Sequence, residues 1–144
     1  MITAGDSIFY TDNQKITAGS FHPVAVNVIR SLSLIPIFYM GAGLNVEGSS
    51  LGREIRDDFY RSKAVVIVLG KGEDWRSVKD VWAIPELPLA LSSRIECLIY
   101  RTREVSKAEI DALCLPVNAE EIENEDHFKM SLEQDLKHLM LSPD

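Results

Sequence analysis

One uninterrupted apolar segment, Ala64-Val-Val-Ile-Val-Leu69, constrains the fold of this chain more than any other stretch. Four of its six residues are β-branched, and it is flanked by a lysine, Lys63, and a glycine, Gly70. A strand that is apolar at every position has no face for water, so it is typical of the centre of a parallel sheet that is covered on both sides. The segment therefore predicts an α/β fold built around this strand.

Shorter segments on either side of this strand alternate between strand and helix patterns. The strand candidates are Ser7–Tyr10, Ile35–Met40, Ile95–Tyr100 and, more weakly, Cys114–Val117. The helix candidates repeat apolar residues every three to four positions; they are Pro23–Leu34, Ser50–Arg61 and Glu120–Leu141. This alternation predicts a three-layer, flavodoxin-like α/β fold, with a parallel sheet of about five strands in the order 2-1-3-4-5 and helices on both faces.

The length of 144 residues predicts a single domain, residues 1–144. Its net charge of −7 is concentrated at one end: residues 119–144 carry −6, from eight acidic residues and two lysines, which leaves −1 for residues 1–118. We therefore expect an α/β core over 1–118 and an acidic C-terminal helix over 119–144. A chain this acidic lacks the clustered Lys and Arg that bind phosphates, which argues against direct nucleic-acid binding.

Neither a membrane segment nor a secretory signal is expected from the sequence. The longest apolar run is far shorter than the roughly 20 residues that span a bilayer, and the first residues lack the basic start of a signal peptide. We expect a cytoplasmic location. Cys97 and Cys114, which have no neighbouring histidine, are then expected to be reduced thiols rather than metal ligands or a disulfide, so no metal site is predicted.

Two glycine-rich motifs match known signatures only in part. Gly48-Ser-Ser-Leu-Gly52 has the G-x-S-x-G form of a hydrolase nucleophile elbow, but the preceding strand candidate ends too early for it. Gly41-Ala-Gly43 lacks the third glycine of a dinucleotide-binding loop. We interpret this part of the chain as a loop in which Ser49 or Ser50 caps the following helix.

The segment Trp82-Ala-Ile-Pro-Glu86 carries the most informative side chains. Pro85 suits the first turn of a helix, and the four-residue spacing puts Trp82 and Glu86 on one side of that turn. They would then lie next to the crevice at the carboxyl ends of the strands, where this fold class binds ligands. Spacing alone leaves a structural role open and favours it, with Trp82 in the core and Glu86 stabilising the helix N-terminus.

The strand in Ser62–Gly70 and the following Trp82-x-x-x-Glu86-Leu87 resemble the middle of a TIR (Toll/interleukin receptor) domain. The similarity runs from Phe9-Tyr10, like the aromatic end of that family's first strand, through Phe38-Tyr39 in the second strand to Tyr100. Two features of some family members are absent: basic residues after the first strand and an acidic residue after the second. The resemblance covers most of the chain.

The resemblance is to the enzymatic, NAD-cleaving branch of prokaryotic type. It implies a NAD+ glycohydrolase or ADP-ribose cyclase that is activated by self-assembly through TIR–TIR contacts, in antiviral defence or cell-death signalling, with a fused or separate sensor domain. NAD+ is then the substrate, and no cofactor is implied. Glu86 takes the family's catalytic position. Substrate contacts are expected from Trp82, Gly43, Leu44 and Ser50.

A single carboxylate suits this chemistry. Breaking the bond between nicotinamide and ribose leaves a sugar of oxocarbenium character, which a nearby carboxylate stabilises. Nicotinamide leaves from a positively charged pyridinium, so it needs no added proton. The rings of Phe9, Tyr10 or Trp82 are expected to stack on the nicotinamide or adenine ring.

Two other functions are compatible with the same residues. One is a non-catalytic TIR scaffold that acts only through TIR–TIR interactions, for which Glu86 would be dispensable. The other is an enzyme like the nucleoside deoxyribosyltransferases, which also set a glutamate against a developing sugar cation. Nucleobase exchange without NAD+ cleavage would identify that activity.

Overall fold

Five parallel strands form one sheet in the computed structural model of this protein, which describes residues 2–12, 21–38, 57, 60–69, 95–105, 108 and 119–141. The strands are β1 (Ser7–Asp12), β2 (Ile35–Ile37), β3 (Ala64–Leu69), β4 (Glu96–Thr102) and β5 (Ala119–Ile122). Two helices, α1 (Phe21–Ser31) and α2 (Glu125–Leu141), pack beside the sheet. The strand order is β2-β1-β3-β4-β5, which confirms the predicted flavodoxin-like order.

The central strand β3 has the bounds predicted from the sequence, and all six of its side chains are buried. It pairs in parallel with β1 on one side and with β4 on the other. Because successive side chains of a strand point to opposite faces, burial at every position means that both faces of β3 are shielded from water. This is the environment that a continuous apolar strand requires.

The described helices lie together on one face of the sheet, and three aromatic rings connect them to it. Phe128 of α2 lies between Phe21 of α1, at a ring-centre distance of 5.4 Å, and Tyr100 of β4, at 5.2 Å. Both pairs meet edge to face, the arrangement that aromatic quadrupoles favour. Leu132 and Leu136 extend this buried face of α2 by one and two further turns. The described core is therefore continuous from α1 through α2 to the sheet.

Two side-chain hydrogen bonds also connect α2 to the sheet. The Tyr100 hydroxyl donates a 2.6 Å hydrogen bond to Oδ2 of Asp135, and the Ser131 hydroxyl donates to Oε1 of Glu120 at 3.2 Å. Tyr100 is buried, so its hydroxyl needs a partner inside the protein. Asp135 supplies that partner from the side of α2 that faces the sheet. This hydrogen bond therefore helps to fix the rotation of α2 about its axis relative to β4.

Helix α1 differs from its predicted bounds, Pro23–Leu34, at both ends. It begins two residues earlier and ends three residues earlier, at Ser31. The end is a Schellman motif: the Leu34 N–H donates to the carbonyl of Ile29 at 3.1 Å, and the Ser33 N–H donates to that of Arg30 at 3.0 Å. Ser33 adopts a positive φ of 63°, which ends the helix without the glycine that usually marks such a cap.

The predicted terminal helix Glu120–Leu141, and with it the assignment of all of 119–144 to a helix, is wrong at its start. Ala119–Ile122 forms β5, which pairs in parallel with β4, and the helix starts only at Glu125. Asn124 separates the two elements, because its side-chain oxygen accepts a hydrogen bond from the N–H of His127 at 2.8 Å and so caps the helix.

The remaining strand predictions hold in position and shift at their ends. β1 is two residues longer than predicted, and β4 starts one residue later and ends two residues later than predicted. β2 starts where predicted and ends at Ile37, and the last two positions of the predicted strand, Tyr39 and Met40, lie outside the described residues. The predicted strand Cys114–Val117 lies outside the described residues, as does most of the predicted helix Ser50–Arg61, in which Asp57, Tyr60 and Arg61 are helical. Among the described helices, none is long and apolar enough to cross a membrane.

Replacing Ser33 with glycine should stabilise the protein by about 0.5 kcal/mol. A side chain in the left-handed region costs roughly 1–2 kcal/mol, and the extra flexibility of glycine in the unfolded chain offsets part of that gain. Urea unfolding measures the difference. Ser31→Gly, inside the last turn of α1, is the matched control and should lose up to about 1 kcal/mol. A loss in Ser33→Gly would contradict the assigned cap.

Replacing Tyr100 with phenylalanine should cost about 1–2 kcal/mol, because a hydrogen bond to a carboxylate is lost while the ring packing is kept. Tyr60→Phe, at a tyrosine that is mostly exposed, is the control and should change stability by less than about 0.5 kcal/mol.

The same variant predicts a pH dependence. Burial first, and then the hydrogen bond to Asp135 and the nearby charges, raise the pKa of the Tyr100 hydroxyl. Because the folded pKa exceeds the unfolded value of about 10, this group stabilises the protein fully below about pH 10 and loses that contribution as the pH rises further. Wild type should therefore lose more stability than Tyr100→Phe between about pH 9 and pH 11. Equal losses in the two proteins would refute the role of this hydroxyl.

Candidate functional site

The order of the strands locates the place where a ligand is expected. β1 and β3 are neighbours, and the chain leaves β1 toward β2 on one side and β3 toward β4 on the other. In open α/β sheets, ligands bind outside the carboxyl ends of the strands at this reversal of order. The described structure brings three features to that end of the sheet: the end of β1, the first turn of α1, and the residue that follows β2.

Three aromatic side chains meet there, and we call Tyr10, His22 and Phe38 the aromatic row. The imidazole of His22 lies in the middle. Its ring centre is 5.5 Å from that of Tyr10 and 4.4 Å from that of Phe38, with interplanar angles of 66° and 82°. Each side chain comes from a different element, since Tyr10 is in β1, His22 is in α1 and Phe38 follows β2.

The polar edge of His22 is the chemically unusual feature of the aromatic row. Its Nε2 atom is buried and has no hydrogen-bond partner among the residues that the structure describes. A buried polar atom without a partner costs about 1–3 kcal/mol, and such atoms are rare in folded proteins. A neutral imidazole nitrogen can accept or donate one hydrogen bond, depending on the tautomer. Among the described residues at the carboxyl ends of the strands, Nε2 of His22 is therefore a polar atom that could form a hydrogen bond to a ligand.

Phe9 and Tyr10, which with Trp82 are the alternative rings predicted to stack on the substrate, point to opposite faces of the sheet. Tyr10 belongs to the core on the α1 side, together with Ile8 and Val66, whereas Phe9 alternates to the other side. Phe9 is 1% exposed and Tyr10 is 2% exposed. One planar ligand therefore cannot stack on both rings, and either ring needs its covering side chains to move first. The two stacking roles stay predictions under that condition.

The other predicted site residues, Glu86, Trp82, Gly43, Leu44 and Ser50, lie outside the described residues. Their convergence on one site stays a prediction. The structure does describe the end of β3, the strand that precedes Trp82 and Glu86 in the chain. β3 ends at Leu69, beside the end of β1, and Trp82 and Glu86 follow in the next connection of the chain.

The acidic residues of β5 lie away from this site. β5 is separated from β1 by β4 and β3, which corresponds to about 14 Å at the usual strand spacing. That distance exceeds the Debye length of about 10 Å at 0.1 M salt. Glu121 is also paired with Arg101, at 3.1 Å, and Glu123 with Arg103. An anionic substrate at the end of β1 would therefore meet little repulsion from these carboxylates.

Sequence reasoning missed His22. The residue lies directly before Pro23, where the apolar periodicity places the start of the predicted helix, so the predicted helix does not include it. The helix in fact begins at Phe21, which brings His22 into the first turn and onto the face toward Tyr10. Its position beside a proline at a helix start was the available signal, because proline favours the first turn of a helix.

Two other groups with chemical potential lie elsewhere. Cys97 in β4 is half-buried, and its thiol donates to the carbonyl of Ile95 at 3.5 Å. Burial first, then the charge of Glu96, raises the pKa of this thiol above its usual value. A raised pKa reduces the thiolate fraction, so this cysteine is a poor nucleophile. No group of three His, Cys, Asp or Glu side chains that could hold a metal occurs among the residues that the structure describes.

Replacing His22 with phenylalanine should stabilise the protein by about 1 kcal/mol. The ring keeps its edge-to-face contacts, and the unpartnered nitrogen is removed. His127→Phe is the matched control with the opposite sign, because Nδ1 of His127 accepts a 3.0 Å hydrogen bond from the Glu123 N–H. Thermal and urea unfolding of both variants provide the comparison. A destabilised His22→Phe would show that Nε2 has a partner in solution.

Comparison of the chain with protein-family models, with curated proteins and with solved structures finds no match. The resemblance to TIR domains thus rests on the residues quoted above for it.

Proposed function

We propose that this protein cleaves NAD+ at the bond between nicotinamide and ribose, with the carboxylate of Glu86 as the catalytic group. The observation that carries the proposal is the position of β3 next to β1 at the centre of the sheet. The chain that leads to Trp82-x-x-x-Glu86 leaves β3 at the end where this fold class binds nucleotides. The aromatic row lies at that same end and supplies ring surface and an unused polar atom.

The proposed reaction begins with heterolysis of the C–N bond. The bonding electrons pass to the pyridinium ring, so neutral nicotinamide leaves without taking up a proton. The ribose carbon becomes an oxocarbenium-like cation, which the Glu86 carboxylate stabilises by its charge. A water oxygen then bonds to that carbon and loses a proton to solvent, which gives ADP-ribose. Attack by a ring nitrogen of the substrate's own adenine would instead give a cyclic product.

In this proposal the aromatic row helps to hold the substrate. Tyr10 and Phe38 flank an imidazole whose Nε2 is free to bond, so the row offers apolar contact and one directional hydrogen bond to a heteroaromatic ring or its amide. The hydrogen bond to a ligand would offset the cost of burying Nε2 unpaired. Trp82, Gly43, Leu44 and Ser50 supply further substrate contacts in this proposal.

The cellular role that we propose follows from the same resemblance. The protein acts in the cytoplasm, becomes active on self-assembly, and serves defence or cell-death signalling by consuming NAD+. A sensor, in the same chain or in a separate protein, triggers the assembly. The charge distribution is compatible with an anionic substrate, because the acidic strand β5 is an outer strand of the sheet, three strand positions from β1.

Nicotinamide release from NAD+, followed by chromatography over a range of protein concentrations, tests the activity. Glu86→Ala and Glu86→Gln should each lower turnover at least about 100-fold, as expected when a group that stabilises transition-state charge is lost. Glu96→Ala is the matched control, because Glu96 is exposed at the opposite end of the sheet, at the start of β4, and should leave turnover unchanged. Wild-type levels of turnover in Glu86→Ala would refute the catalytic role.

The two alternatives give different outcomes in the same assay. A TIR scaffold would show no turnover at any concentration while still self-associating, and Glu86→Ala would leave its association intact. An enzyme like the nucleoside deoxyribosyltransferases would exchange bases between nucleosides and leave NAD+ intact.

A further inference from the structure

His22 holds a polar atom that the fold leaves unpaired. Among the described residues, its Nε2 is the only buried side-chain nitrogen or oxygen without a hydrogen-bond partner. The two described rings that contact the imidazole, those of Tyr10 and Phe38, meet it edge to face and offer mainly apolar surface. A buried water molecule needs two to four polar partners. These surroundings therefore suit a ligand that carries its own ring better than they suit a water molecule.

We propose that His22 is a specificity-determining residue, which recognises the carboxamide group of the nicotinamide ring through one hydrogen bond at Nε2. A base that carries a carboxylate in place of the amide is then rejected. This inference rests on the proposed function for its choice of ligand. It adds a basis for discrimination that the carboxylate of Glu86 does not supply, and His22 takes no part in bond cleavage.

The amide matches Nε2 whichever nitrogen of the imidazole carries the proton. A neutral imidazole has one nitrogen that donates and one that accepts, so Nε2 does either, depending on the tautomer. A carboxamide has a carbonyl oxygen that accepts and an NH2 group that donates. Rotation of the amide about its bond to the ring brings the suitable atom to Nε2. The hydrogen bond therefore forms without any proton transfer.

A carboxylate at the same position is disfavoured for two reasons. Its oxygens only accept, so it pairs with only one of the two tautomers. It also brings a full negative charge to an atom buried between aromatic side chains, and burying a charge costs far more than burying an amide. Sites built around a hydrogen bond at a buried polar atom discriminate strongly between ligands that differ in that one group.

The adenine ring of the same substrate fits this atom less well. Its amino group and the neighbouring ring nitrogen are fixed side by side, and proteins usually read that edge with the paired donor and acceptor of an Asn or Gln side chain. His22 offers a single atom between two aromatic side chains, so one of the two adenine groups would be buried unpaired. The single bond at Nε2 therefore favours the amide of nicotinamide.

Phe38 is the member of the aromatic row that can uncover Nε2. It follows β2 and is only partly buried, whereas Tyr10 is fully buried within β1. Turning the Phe38 side chain outward therefore exposes less apolar surface than moving Tyr10 would expose. A planar ligand ring of similar size then takes the place of the phenyl ring and restores the aromatic contact.

Nitrogen NMR of the imidazole rings in the full chain tests this hydrogen bond directly. The chain has three histidines, and His22→Phe, which is expected above to be stable, identifies the signals of His22 by their loss. At about pH 8, where an ordinary imidazole is uncharged, nicotinamide should shift the Nε2 signal of His22 in a saturable manner. Nicotinate should bind at least about tenfold more weakly. No shift with nicotinamide, equal binding of nicotinate, or tighter binding of adenosine at Nε2 overturns the proposal.

Three variants separate recognition by this side chain from a general effect of mutation. His22→Phe should lose the preference and bind nicotinamide and nicotinate equally weakly. His22→Gln places an amide, which both donates and accepts, near the position of Nε2 and should keep most of the preference. His138→Gln, at an exposed histidine of α2, is the matched control and should bind both compounds as wild type does. A preference that survives in His22→Phe would contradict the assigned role.

The failure of this inference and the failure of the proposed function are distinguishable. The NMR titrations contain no NAD+, so they measure amide recognition even in a protein that cleaves nothing. In the turnover assay, His22→Phe should lower the ratio of kcat/KM for NAD+ to kcat/KM for the dinucleotide of nicotinic acid about tenfold. Turnover that depends on Glu86, with this ratio unchanged in His22→Phe, would retain the proposed function and refute the role of His22.

Discussion

Burial of β3 on both faces is the constraint on which the rest of this structure depends. Six consecutive apolar side chains cannot meet water, so both faces of the strand must be covered. The backbone N–H and C=O groups of a buried strand also need partners, which β1 and β4 supply on its two sides. Parallel neighbours require long crossover connections, and these take the chain back over the faces of the sheet. The alternation of strands and helices along the sequence is thus a consequence of this one strand. The strand order reverses between β1 and β3, and ligands are expected at that point.

The sequence was sufficient for the strand order and for the position of β3, because both depend on long-range burial that a continuous apolar pattern records. It was insufficient where a single local contact decides an outcome. Ser33 ends α1 in a left-handed conformation that serine seldom adopts. The sequence therefore lacks the glycine that usually indicates such a helix end. Asn124 divides β5 from α2, yet the acidic run around it has the composition of a helix start. Propensity is a weak guide when a neighbouring strand can pair with the segment.

The candidate site shows the same division. Tyr10 and Phe9 were placed on the first strand correctly, but their opposite directions follow from the alternation of a strand and separate them by the thickness of the sheet. His22 became visible only once the start of α1 was fixed by the structure. The proposed role of Glu86 rests on resemblance and on its place after β3 in the chain, since spacing alone favours a structural role at a helix N-terminus.

The two outer strands of the sheet have a consequence for how this chain associates. β2 has only three residues and contains Pro36, which has no N–H to offer a further strand. β5 has four residues and presents exposed glutamates. Short outer strands that carry proline or charge resist the addition of a foreign strand, which is the usual first step of aggregation. The described outer strands therefore protect copies of this protein from joining their sheets even at high concentration.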